Sequence, residues 1–168
     1  APVSMKMALG ENPKCVYNER HETPVTRMAT AAILRENLQK ALEYDEKLTL
    51  AQEDEDADKP DFDAKLEALC PVVRGELPVH IHAHRADDIC TAIRIGKEYD
   101  LDVVLIHCTD GIAVADYIAK SGYPAIVGPS MGCASKNEVW AKSFETAGVL
   151  SRAGVKVCLT ADHDVTPL

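Results

Sequence analysis

A chain of 168 residues is long enough for one domain with a sizeable core, and its net charge of -9, with a pI near 5.1, works against a polyanionic nucleic-acid partner. Six cysteines, Cys15, Cys70, Cys90, Cys108, Cys133 and Cys158, are too widely spaced for a zinc knuckle or a dense disulfide framework, and they read as reduced thiols of a cytoplasmic protein. No signal peptide or membrane-spanning run is recognisable, so no membrane partner is expected.

In chain order, Val3 to Leu9 alternates like a short strand that carries Lys6, and Gly10-Glu11-Asn12-Pro13 reads as a turn that ends it. Pro24 to about Gln52 reads as one long helix, with Thr23 as its cap, Pro24 in the first helical position and a break expected near Tyr44 or Asp45. The acidic run Glu53 to Asp58 reads as a solvated connection, Asp61 to Leu69 resumes helical spacing, and Cys70-Pro71 begins the exit. The whole chain, 1–168, is expected to form one domain, with the helical and acidic stretch around 24–70 as an insertion or connection.

Beyond Gly75 the rhythm becomes strand, loop, helix. Strands are predicted at Leu77 to Ala83, Asp102 to Ile106, Tyr123 to Val127 and Val155 to Leu159. Helices are predicted from Asp87 or Asp88 to Glu98, from Ile112 to Lys120 and from Asn137 to Ala147. The continuous apolar runs VVLI and VKVCL suit parallel strands buried on both faces, which implies an α/β architecture. A complete eight-stranded β/α barrel takes about 250 residues, so about five strands would make part of one. No glycine-rich nucleotide-binding signature follows any strand.

Three segments carry ligand-type residues at strand ends. In LPVHIHAHRADD, alternation puts His80, His82 and His84 on one strand face. DVVLIHCTDG closes on His107, and VKVCLTADHD closes on Asp162; the alternative for Asp162 and Asp164 is that both cap or brace the C-terminal turn. Imidazoles are poor core filling, because each ring nitrogen needs a partner, and they are good donors to a divalent metal. An ion held there acidifies water into a nucleophile near neutral pH, and a carboxylate such as Asp162 is suited to move its proton. Cys133, in the loop containing Met131-Gly132-Cys133, has no histidine at a diagnostic spacing and is not assigned as a nucleophile.

His82-Ala83-His84, His107 and Thr160-Ala161-Asp162-His163 resemble strands five, six and eight of the amidohydrolase superfamily, especially its imidazolonepropionase-like and prolidase-like branch. The GENPK and TRM segments resemble the portion that precedes strand five. The resemblance implies a partial metal-dependent-hydrolase TIM barrel, approximately strands four to eight, that acts on a C–N bond in a small amide or cyclic amide. It implies His82, His107 and Asp162 as metal ligands, with Asp162 also the general base, and Lys6 or Glu11 as a further ligand. His84, Arg85 and His163 become substrate contacts or supporting hydrogen-bond partners. The guanidinium fork makes Arg85 and Arg27 candidate anchors for a substrate carboxylate, although for Arg27 a local salt bridge at the helix start is the first reading. Zinc is the first choice of ion, with one or two ions left open. The family's HxH pair after strand one is missing, so the reading needs segments of a longer parent chain. The alternative is a nonenzymatic binding domain or homo-oligomer that keeps the barrel fragment.

Overall fold

The computed structural model describes residues 2–54, 56–131, 134–163 and 165. Gly132, Cys133 and Asp164, which the sequence had placed in the loop and terminal turn, lie outside the described residues, as does Glu55 of the acidic run. Five strands form one parallel sheet in sequential order: β1 (Met5–Ala8), β2 (Val79–Ala83), β3 (Val103–His107), β4 (Ala125–Val127) and β5 (Val157–Leu159). The chain is an α/β fold, consistent with part of a β/α barrel.

The two faces of the sheet differ as alternation requires. Val79, Ile81, Val103 and Leu105 are fully buried and join one core with helical residues such as Leu38, Val72, Ile89, Ile118 and Leu150. Register places Lys6, His80 and Val104 in one row of the opposite face, and Ala8, His82 and Ile106 in the next row. That face is more open: Lys6 and Cys158 are exposed, while His80, Val104 and Ile126 are half-buried. A parallel strand pair needs a long crossover, and here helices supply it each time.

The helices are α1 (Glu11–Glu19), α2 (Arg27–Glu53), α3 (Ala64–Val73), α4 (Ala86–Glu98), α5 (Ala115–Ser121) and α6 (Glu145–Arg152), with 3-10 turns at Gly111–Val114 and Asn137–Val139. Five expectations need correction. Gly10 to Pro13 is the entry to α1: Gly10 has φ 83°, and Pro13 lies in the first turn, where a missing N–H costs no helical bond. Helix α2 starts three residues later than expected, with the Thr26 hydroxyl accepting from the Ala29 N–H at 3.0 Å. It runs through Tyr44 and Asp45 unbroken, because those residues dock α3: the Tyr44 hydroxyl donates to Glu67 and Arg74 donates to Asp45. Pro71 sits inside α3, whose end closes through the Pro71 carbonyl as it accepts from the Glu76 and Leu77 N–H groups at 2.8 and 3.0 Å. Finally, the stretch expected as one helix from Asn137 to Ala147 is a 3-10 turn followed by α6.

Candidate metal centre

At the carboxyl end of β2, His82 and His84 point to the same side, as a strand dictates for residues two apart. His107 reaches them by a different route. Strict alternation would put it with Val103 and Leu105 in the core, yet His107 and Cys108 both take left-handed φ values, 78° and 49°. The strand geometry ends there, Cys108 turns into the core at 0% exposure, and the His107 ring meets those of His82 and His84 at centroid separations of 4.5 and 4.6 Å. Left-handed backbone at a non-glycine residue costs of order 1–3 kcal/mol and persists only where its surroundings hold it.

The three buried histidines each offer a ring nitrogen, and these atoms lie within 4.8 Å of one another. Their other contacts suit metal donors. His107 Nδ1 lies 2.6 Å from the Gly128 carbonyl, which can only accept, so Nδ1 carries the proton and Nε2 keeps its lone pair. Gly128 is itself constrained, with φ 125° and the Thr160 carbonyl where a Cβ would stand. His84 Nδ1 shares a 2.7 Å hydrogen bond with the Thr109 hydroxyl. Burial, reinforced by the neighbouring imidazoles, pulls His84 down to about 3 and His107 down to about 4, so both are neutral at pH 7 and able to donate a lone pair.

Behind the histidines lies Glu138, whose side chain is fully buried. Its Oε2 accepts from the Glu11 N–H at 2.7 Å, and its Oε1 lies 2.7 Å from Lys136 Nζ and 3.7 Å from His82 Nε2. The Oε1–Lys136 contact is an ion pair whose angles fall outside hydrogen-bond geometry, so Oε1 has no hydrogen-bond partner among the described residues. Arg27 lies 3.6 Å from Glu138 and donates to Asp88 at 2.9 Å, which ties the start of α2 to α4. Burial alone would raise the Glu138 pKa; the His82 and Lys136 contacts and the Glu11 N–H overcome it and hold the group at about 2. Gly10 is required beside it, since a Cβ there would stand 2.5 Å from Glu138 Oε2. The sequence reading passed over Glu138, Lys136 and Asn12. The signal for Lys136 and Glu138 was the KNE run, which looks like an ordinary solvated helix start, and Asn12 lay in the segment read as a turn.

A cavity of about 300 Å³ opens over the histidines, lined also by Asn12, Lys136, Lys142 and Asp162. Asp162 is exposed and left-handed at φ 50°; it lines the cavity without joining the imidazole cluster. Its charge acts on both His107 and Lys6. Lys6 projects from the open sheet face, level with His80. The Glu11 carboxylate accepts from the Glu138 N–H at 3.3 Å, so the two residues bind each other's backbones. Arg85 forks onto Asp87 at 2.9–3.0 Å away from the cavity lining, and His163 is exposed beyond β5. Arg27 and Arg85 are thus both engaged by carboxylates of the chain itself.

No family model matches the sequence. Over 115 residues, 61% of this chain, it is 30% identical to amidohydrolase tasK from Hapsidospora irregularis, of which it spans 11%. A crystal structure of an amidohydrolase from Thermotoga maritima MSB8 superposes with a TM-score of 0.94 at 40% identity, across 99% of this chain and 43% of that one. The chain therefore spans less than half the length of either relative. Both relatives are described as amidohydrolases, and the imidazole cluster of this chain could hold a metal ion. Among the described residues no helix is long and apolar enough to cross a membrane.

Proposed function

For a chain related to the amidohydrolase superfamily, we propose metal-dependent hydrolysis of a C–N bond in a small amide or cyclic amide. The observation that carries the reading is the trio of buried imidazoles, neutral at pH 7 in His84 and His107, with His107 fixed in the tautomer that leaves Nε2 free. We assign His82, His107 and Asp162 as the ion's ligands, with Lys6 as a candidate further ligand; His84 and His163 are candidates for contact with substrate. Bound zinc would supply Lewis acidity, polarising the carbonyl of the scissile bond and acidifying water.

Asp162 would take a proton from the attacking water onto a carboxylate oxygen as the water oxygen bonds to the scissile carbonyl carbon, and would pass it to the leaving nitrogen as the C–N bond breaks. Thr109 and the Gly128 carbonyl hold the His84 and His107 rings in orientation. Glu138 braces the His82 side, where Asn12 Nδ2 also lies 3.5 Å from His82 Nε2. Five strands are part of an eight-stranded barrel, and we read turnover as drawing on strands beyond these five. The imidazolonepropionase-like branch and a cytoplasmic location belong to the same reading.

Native mass spectrometry with elemental analysis after zinc reconstitution tests it. Near-stoichiometric zinc is expected, and a folded His107→Ala variant, checked by circular dichroism, should lose most of it. A folded wild-type chain that takes up no zinc, manganese, iron or nickel would overturn the assignment.

A further inference from the structure

The arginines that the sequence offered for a substrate carboxylate are spent on Asp88, Glu138 and Asp87. Among the described residues, the cations lining the imidazole cavity are instead Lys136 and Lys142, both from the segment between β4 and α6. They differ in one respect. Lys136 is occupied, with its Nζ 2.6 Å from Asn12 Oδ1 and 2.7 Å from Glu138 Oε1. Lys142 is half-buried, and its side chain has no hydrogen bond or ion pair among the described residues.

A second feature lies against the same wall. A small void of about 10 Å³ shares His107, Pro129 and Lys142 with the main cavity and is bounded also by Thr109 and Thr146. Thr146 is 2% exposed, and its hydroxyl has no hydrogen-bond partner among the described residues. A buried hydroxyl without a partner is rare in folded proteins, because the lost hydration is not replaced. Here an unpartnered hydroxyl and an unpartnered half-buried cation flank His107 together. Of the other charged groups lining the cavity, Lys136 faces Glu138, and Asp162 is the exposed carboxylate assigned above to the ion.

We propose that Lys142 is the anchor for a carboxylate carried by the substrate, with Thr146 as the polar group behind it, so that the amides taken by this site are anionic. The proposal rests on the hydrolase reading of the cavity and narrows it to small amides that bear a carboxylate, such as N-acylated amino acids. A cavity of about 300 Å³ admits a molecule of that size. An ammonium suits the task as a point charge that accepts several carboxylate orientations, whereas Arg would impose a fixed fork.

The test is binding to the metal-free chain in EDTA at pH 8, followed by NMR titration with N-acetylglycine and with its neutral N-methylamide. That pH lies well above the ordinary imidazole range, so discrimination between the probes reports a lysine cation. The acid is expected to bind at least tenfold tighter than the amide. Lys142→Met should erase that preference, and Lys142→Arg should keep most of it. Equal binding of the two probes, no binding of the acid, or an unchanged preference in folded Lys142→Met would each overturn the anchor. Zinc uptake by the same preparations reads the hydrolase assignment separately: intact uptake with no probe discrimination removes the anchor alone, and discrimination without uptake removes the hydrolase assignment.

Discussion

Replacing Glu138 by Gln keeps the side chain's size and removes the charge around which Lys136, Arg27 and His82 are grouped. In the folded chain this carboxyl ionises at about 2 against an ordinary 4.5, which corresponds to about 3 kcal/mol of stability at neutral pH. Because the folded value is the lower one, the contribution is complete above pH 4.5 and is lost as the pH falls from there through about 2. Urea unfolding at pH 7 should therefore show Glu138→Gln less stable by about 3 kcal/mol, a midpoint shift of about 1.5 M for an m-value of about 2 kcal/mol/M. The gap should persist unchanged at pH 5.5, and it should shrink in a Lys136→Met background, where the ammonium 2.7 Å away has gone. A variant within 0.5 kcal/mol of wild type at pH 7 would refute the account of Glu138 as a charged brace.

Three further outcomes are expected. Metal-free protein should melt at a lower temperature at pH 5.0 than at 7.5: His84 and His107 have folded values below 6.5, so the stability they confer is full above 6.5 and falls away beneath it; an equal or higher melting temperature at pH 5.0 would contradict this. Asp162→Asn should cut turnover of the metal-loaded chain, supplied with the remaining barrel strands, by about 10²–10⁴-fold while the urea midpoint of the chain itself stays close to wild type, as parallel kinetics and denaturation would show. Ile81→Ala, at a position with 0% exposure beneath the helices, should cost about 2–5 kcal/mol in urea unfolding, and a cost below 1 kcal/mol would mean that the core reseals around it.

What could be read from the sequence follows the range of each signal. Alternation in HIHAH placed His82 and His84 on one face, because strand periodicity is a property of neighbouring residues. His107 was legible as a strand-end histidine, while the left-handed turn that swings its ring to the others was not, since nothing in IHCTDG marks two successive non-glycine residues for that backbone. The GENPK segment was misread because proline and glycine mark a turn and a helix start equally well, and only the continuation through Cys15, Val16 and Tyr17 separates them. A break was expected in α2 at Tyr44 and Asp45, the residues that fasten α3 to it from more than twenty positions away. Glu138 sits in a KNE run that looks like a solvated helix start; apart from Lys136, its partners Glu11, Arg27 and His82 are distant in sequence.

The reciprocal bonds between Glu11 and Glu138 join residues 127 positions apart, whereas the His84–Thr109 bond closes a span of only 25. Loop closure favours short spans, so the imidazole cluster is expected to assemble early in folding and its carboxylate brace late. Zinc added during refolding would then find a landing place before the chain is complete and could act as a nucleus for the rest. Stopped-flow refolding with and without zinc measures this directly: zinc should speed the first phase, and acceleration of the last phase alone would reverse the order.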